Sequence, residues 1–189
     1  DMGEQSVKNV SAPVRAYALG DAAAPTPAAP PLETAGRPSI AVLPFDNLSG
    51  DAEQEYFSDG ISEDIITDLS KISTLMVVAR NSSFTYKGRA VDLRTVAKEL
   101  GVAYVLEGSV RKAGGRVRIT AQLIDGADGA HLWAERYDRE LEDIFAVQDE
   151  VAKHIIEALQ VTLTPAEEAR LGGPGTDNIE AYDYLLRGR

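Results

Sequence analysis

Hydrophobic and polar positions follow two different periods along this chain, and the change from one to the other falls near residue 103. Upstream of it, residues 39–45 read as a continuous apolar run, the pattern of a strand covered on both faces. An acidic loop follows over 46–55. Ser58 is placed to cap a helix whose first turns carry Asp59, Glu63 and Asp64, charges that suit the positive end of a helix dipole. Ile61, Ile65, Ile66, Leu69 and Ile72 then mark one helical face, and residues 75–79 form a second buried strand. Strand, helix and strand in this order predict a right-handed parallel crossover. Asp92 caps a further helix with Leu93, Val96, Ala97 and Leu100 as its apolar stripe and Gly101 as its stop.

From Ala103 onward the period is two. Gly114-Gly115 suits a two-residue type I′ turn, in which both positions need positive φ. Counting outward sets Val110 opposite Ile119, Gly108 opposite Ala121 and Leu106 opposite Leu123 on one face. The other face pairs Arg111 with Arg118, Ser109 with Thr120 and Glu107 with Gln122. A turn around 125–129 then brings Gln122 opposite Trp133, Thr120 opposite Glu135 and Arg118 opposite Tyr137. One face of this three-strand meander is therefore expected to be apolar and helix-covered, the other polar with aromatics. A long helix starts near Asp143 with Ile144, Val147, Val151, Ile155 and Leu159 inward. Thr164-Pro165-Ala166-Glu167 is a capping box opening a short helix that stops at Gly172-Gly173, and residues 178–187 begin one more. The fold class expected is α/β: a βαβ-αβββ-α mixed sheet, two-layer or partly three-layer, with a flanking linker and C-terminal helices.

Composition narrows the function. A net charge of −11 disfavours a nucleic-acid backbone or an anionic membrane as partner. The absence of Cys removes disulfides, a thiolate nucleophile and Cys-based zinc sites. No apolar stretch is long enough to span a bilayer and no leader precedes the domain, so a cytoplasmic address is expected. Pro at 25, 27, 30, 31 and 38 makes residues 20–38 an extended tether. Residues 1–19 read as the last strands of a domain whose body lies upstream.

Five segments carry a resemblance: Ile40-Ala41-Val42-Leu43-Pro44-Phe45, Phe57-Ser58-Asp59-Gly60-Ile61, Arg80-Asn81-Ser82-Ser83-Phe84, Tyr104-Val105-Leu106-Glu107-Gly108-Ser109-Val110-Arg111 and Leu132-Trp133-Ala134-Glu135-Arg136-Tyr137-Asp138. Together they resemble the TolB amino-terminal-like domain found in bacterial multidomain signalling proteins. Gly3-Glu4-Gln5-Ser6-Val7-Lys8-Asn9-Val10 with Pro13-Val14-Arg15-Ala16-Tyr17 is similar to the carboxyl end of class III adenylate/guanylate cyclase domains. Ala181-Tyr182-Asp183-Tyr184-Leu185-Leu186-Arg187-Gly188 is similar to the start of a tetratricopeptide array. The resemblance implies four parts: a cyclase terminus (1–19), the linker (20–38), the TolB-like α/β domain (39–160) and a helical segment leading into repeats (161–189). It supplies no catalytic residue, cofactor or metal ligand for this chain, and a helical stub without its neighbours has no independent binding role.

Direct searches for chemistry point the same way. The loop over 44–60 holds Gly50 and Gly60 without a phosphate-binding spacing, and its carboxylates oppose phosphate. Neither that loop nor 125–129 has calcium-loop spacing. His131 and His154 lack companions for a metal site, and Ser82, Ser83 and Ser109 lack an evident base. A basic hairpin tip (Arg111, Lys112, Arg116, Arg118) suits either docking to an acidic surface or plain edge protection. Trp133 and Tyr137, with Glu135, Arg118 and Arg111, form the expected partner-binding set, because aromatic and Arg side chains make good anchors. Whether that set meets another protein or another part of the same chain stays open. The expectation is a non-catalytic regulatory or protein-interaction module of a class III cyclase. Its partner would be the parent cyclase domain, helical repeats or another protein, and the parent offers a route to a homodimer. The alternative is a small-ligand sensor with a pocket at the carboxyl ends of the first two strands.

Overall fold

The computed structural model describes the backbone of residues 4–5 and 14–15 and, with side chains, residues 37–171 and 178–188. The chain forms two compact units, 1–33 and 34–189. In the first, β1 (Glu4–Gln5) pairs antiparallel with β2 (Val14–Arg15). Residues 20–36 of the tether expected over 20–38, and the helix stop at Gly172-Gly173, lie outside the described residues.

The second unit is built on a six-stranded mixed sheet. The apolar run yields β3 (Ser39–Val42), buried at every position, with the two-residue β4 (Asp46–Asn47) after it. β5 (Met76–Val77) lies parallel to β3 on one side, and β6 (Tyr104–Ala113) parallel to it on the other. β7 (Arg116–Asp125) and β8 (His131–Glu140) complete the antiparallel meander, so the order is β5-β3-β6-β7-β8 with β4 also on β6. β5 is shorter than the expected strand because the chain turns into α2 (Arg80–Ser83) just after it.

Helix α1 (Glu55–Ser70) buries Phe57, Ile61, Ile65, Ile66 and Leu69 against the sheet. Its start differs from the sequence reading. Asp51 caps a 3-10 turn over Ala52–Gln54 that runs straight into α1, and Ser58 sits buried inside the helix. The Ser58 carbonyl accepts from the Ser62 hydroxyl, which in turn accepts the Phe45 N–H at 2.9 Å. This chain of bonds satisfies buried backbone and hydroxyl groups where α1 meets the end of β3. Asp92 caps α3 (Leu93–Leu100) and Gly101 ends it at φ 67°, both as expected. α4 (Ile144–Ala158) lies beside α1 on the same face, and the Thr164 capping box opens α5 (Pro165–Glu168).

The main core, from Ile40 and Phe45 through Leu106, Ile119 and Leu123 to Val151 and Ile155, lies between the sheet and α1/α4. A second cluster of Ala41, Leu43, Val96, Ala97, Val102 and Val105 packs α3 on the opposite face. The domain is thus three-layered over β3 and two-layered over the meander. Gly108 is what lets Phe45 lie on β6: a Cβ there would stand 2.7 Å from two ring atoms of Phe45. α6 (Ile179–Arg187) is also part of this unit. Tyr182 and Leu186 are buried against α1, with Leu186 over Gly60, and Gln148 of α4 donates to the Tyr182 hydroxyl at 3.0 Å. Among the described residues no helix is long and apolar enough to cross a membrane.

Candidate functional site

The hairpin β6–β7 has the register that parity predicts, from Leu106 opposite Leu123 to Arg111 opposite Arg118. Its turn is of another type, since of the two glycines only Gly114 takes positive φ, at 59°. The next hairpin departs by one residue. Tyr137 stands opposite Ile119, Glu135 opposite Ala121 and Trp133 opposite Leu123, with a register shift at Leu123/Ile124. The 126–130 loop takes up the difference, held by the Asp125 N–H on the Ala130 carbonyl and the Gly129 N–H on the Asp125 carbonyl. A one-residue slip moves every side chain to the other face. Trp133, Glu135 and Tyr137 therefore belong to the helix-covered side, which corrects their expected place on the open face.

There they pack against α4. Tyr137 is buried, and its hydroxyl donates to the Glu135 carboxylate at 2.7 Å and lies 2.8 Å from His154 Nδ1. Burial and the neighbouring Glu135 carboxylate push the Tyr137 hydroxyl well above its ordinary pKa. The Trp133 and His154 rings lie 5.8 Å apart. The aromatic anchors thus join β8 to α4, and this use of His154 was not legible in the sequence because it depends on the β8 register.

The open face is polar without aromatics. β6 contributes Glu107, Ser109 and Arg111, β7 contributes Arg118, Thr120 and Gln122, and β8 contributes Ala134, Arg136 and Asp138. Arg111 and Arg118 oppose each other, a repulsive arrangement that two contacts relieve. Arg111 Nε donates to the Leu48 carbonyl at 3.1 Å, and Arg118 Nε meets Asp138 at 2.6 Å. Arg136 adds a longer contact to Asp138, at 3.4 Å. The bond from Arg118 holds the Asp138 carboxyl below the usual range. The basic tip is divided in the same way: Arg116 pairs with Glu140, while Lys112 turns to the helix side, over the Phe57 ring and towards Asp183.

Where the α3 layer ends, a cleft of about 410 Å³ opens beside the carboxyl end of β3, lined by Leu43, Asp46, Tyr86, Arg89, Leu93 and Glu107 among others. Burial raises the Glu107 pKa, opposed by His131 and reinforced by Asp46. No cluster of three or more His, Asp or Glu side chains suited to a metal occurs among the described residues.

Residues 36–154 match the family model described as HilA/YgeH-like transcriptional regulator, second domain. The whole chain is 60% identical to a Rhizobium meliloti (strain 1021) protein named "Putative adenylate cyclase 3", and it spans 33% of that protein's length. Among solved structures, TolB from Acinetobacter baumannii is similar at a TM-score of 0.48 and 19% identity, over 65% of this chain and 28% of that one. Lipoprotein GNA1162 from Neisseria meningitidis is similar at 0.46 and 20%, over 67% and 99% respectively.

Proposed function

Because the chain belongs to the family of HilA/YgeH-like transcriptional regulator second domains, we propose that it is a non-catalytic regulatory and protein-interaction module, here serving a class III adenylate or guanylate cyclase. The family is described by transcription regulators and the relative by a cyclase. A module shared between such different outputs favours a task independent of either output. This chain spans 33% of the relative's length, which leaves room for a separate catalytic region. In this reading the protein works in the cytoplasm, between a cyclase domain and helical repeats.

The observation that carries the reading is the one-sided helix layer over the meander. It leaves nine side chains of three long strands facing outward on a rigid sheet, from Glu107 to Asp138, with Arg118 and Arg136 paired to Asp138 and Arg111 bonded to the Leu48 carbonyl. Such a face suits a protein surface of mixed charge. Engaging the parent cyclase domain, the repeats or another protein would shift protomer geometry through the tether. Class III cyclases act at a dimer interface, so displacement of the protomers is sufficient regulation. The test is cyclic-nucleotide production by the full-length parent with Gln122→Arg or Arg111→Glu on this face, beside deletion of residues 39–160. The reading predicts altered activity or an altered response to stimulus. Unchanged output in all three sinks it.

One observation favours a second reading, a small-ligand sensor: the cleft lies beside the carboxyl end of β3, with Glu107 and Asp46 as acidic groups and Tyr86 as a flat wall. Thermal-shift screening against nucleotides and cationic metabolites separates the two, since only a sensor is stabilised by a small molecule.

A further inference from the structure

Strand β8 ends the sheet: β7 runs along one side, and among the described residues no strand runs along the other. A ten-residue edge of this kind presents backbone N–H and C=O groups as a template for another strand, and on β8 the Asp138 carbonyl is met by the Arg139 guanidinium at 3.2 Å, a contact that a second strand would replace. Natural edges are kept apart by like charges, Pro or a bulge. β8 has no Pro, and its register shift lies at its beginning, opposite Leu123 and Ile124. Its charges form a reversed palindrome about Tyr137: Glu135, Arg136, Asp138 and Arg139 read minus, plus, minus, plus on either side of it.

We infer that β8 is a homodimerisation edge, on which a second copy of this chain adds its own β8 antiparallel about a two-fold axis at Tyr137. An axis perpendicular to the sheet keeps every side chain on its face, so facing residues must share parity along the strand. Few registers remain. Centred on Glu135, Arg136, Asp138 or Arg139, the axis sets a charge against its own copy at Cα separations of about 5 Å. Centred on Ala134, it makes no ion pair within the strand. Centred on Tyr137, it sets Arg136 against Asp138 of the second copy on the open face. On the helix face it sets Glu135 against Arg139 of the second copy, and symmetry doubles both pairs.

These side chains are accessible: Arg136 is 65% exposed, Glu135 45%, Arg139 43% and Asp138 37%, and on the helix face Arg139 would share its charge between Glu150 and Glu135 of the second copy, with Glu135 also beside His154. Arg118 already holds Asp138, which would then stand between Arg118 and Arg136 of the second copy. The two six-stranded sheets become one, with the α1/α4 layers of both copies on the same side. A purely protective edge would carry one sign and repel its copy in every register; this pattern sets a like charge against its copy when centred on any of its charged residues, even where Arg136 would meet Glu140 about Asp138, and gives four ion pairs with no like-charge contact when centred on Tyr137. The inference stands apart from the proposed function, since it concerns the strand whatever the parent does.

Sedimentation equilibrium of the 189-residue chain should show a monomer–dimer equilibrium that salt weakens. Arg136→Glu and Asp138→Arg each turn two attractions into two repulsions, raising the dissociation constant about tenfold or more. An equimolar mixture of these two variants should regain association, because each altered charge then faces an opposite one. Circular dichroism checks that both remain folded. The chain lacks Cys, so mixed Arg136→Cys and Asp138→Cys copies report the register by oxidative crosslinking, which Ala134→Cys with Asp138→Cys should not. A chain monomeric up to about 1 mM overturns the inference. So does a dimer indifferent to both charge reversals, which would leave the edge to another occupant.

Discussion

Replacing Tyr137 by Ala tests where β8 sits. Tyr137 is 4% exposed, beneath α4, and its ring is part of the main core. Removing a ring of this size from a packed site costs about 3–5 kcal/mol, the transfer of the lost surface plus the cavity left behind. Tyr137→Phe separates out the hydroxyl. That change deletes one bond to Glu135 and one to His154, both partners at the rim, where water can replace the lost contact. It should therefore cost only about 1 kcal/mol. The remaining roughly 2–4 kcal/mol belongs to the ring. Had the strand been one residue out of this register, Tyr137 would lie on the open face, and either change would stay within about 0.5 kcal/mol. Urea unfolding followed by far-UV circular dichroism reads both variants, with Arg136→Ala as the open-face control. A Tyr137→Ala loss below about 1 kcal/mol, or one no larger than the control's, would refute the register and with it the sidedness on which the interaction face depends.

Gly108→Ala should destabilise by about 2 kcal/mol or more, because the new methyl meets the Phe45 ring and the Thr120 carbonyl, neither of which can move freely; a melting temperature within about 2 °C of the parent would contradict this. Leu186→Ala should cost about 2–4 kcal/mol by emptying the contact over Gly60, and a smaller loss would mean α6 is not docked in solution. Glu167 accepts from the Ser73 and Thr164 backbone N–H groups and from both hydroxyls, which pull its carboxyl down to about 2. Its folded pKa being depressed, its stabilisation is complete above about 4.5 and is lost as pH falls from there through about 2. Glu167→Gln should flatten that acid limb; equal steepness in both proteins counts against the bonding scheme.

Much of this fold is legible from local pattern. The apolar run of β3, the stripe and caps of α3 and the Thr164 capping box are each specified by residues within a few positions of one another. The β6–β7 register is legible because a two-residue turn leaves no freedom between strands, whichever turn type the glycines adopt. The start of α1 was not, since a 3-10 turn capped by Asp51 extends the helix backward into a loop that reads as acidic coil. The β8 register lies beyond sequence for a stronger reason. A five-residue loop and a register shift permit either parity, and the choice falls to burial: one slip sinks the Tyr137 ring under α4, the other leaves it in water. Local chemistry determined which segments are strands and helices and that one meander face would be polar. Only the tertiary structure decided which β8 residues line that face and that His154 would meet them, because both follow from the packing of α4 on the sheet, which the residues of the turn do not encode.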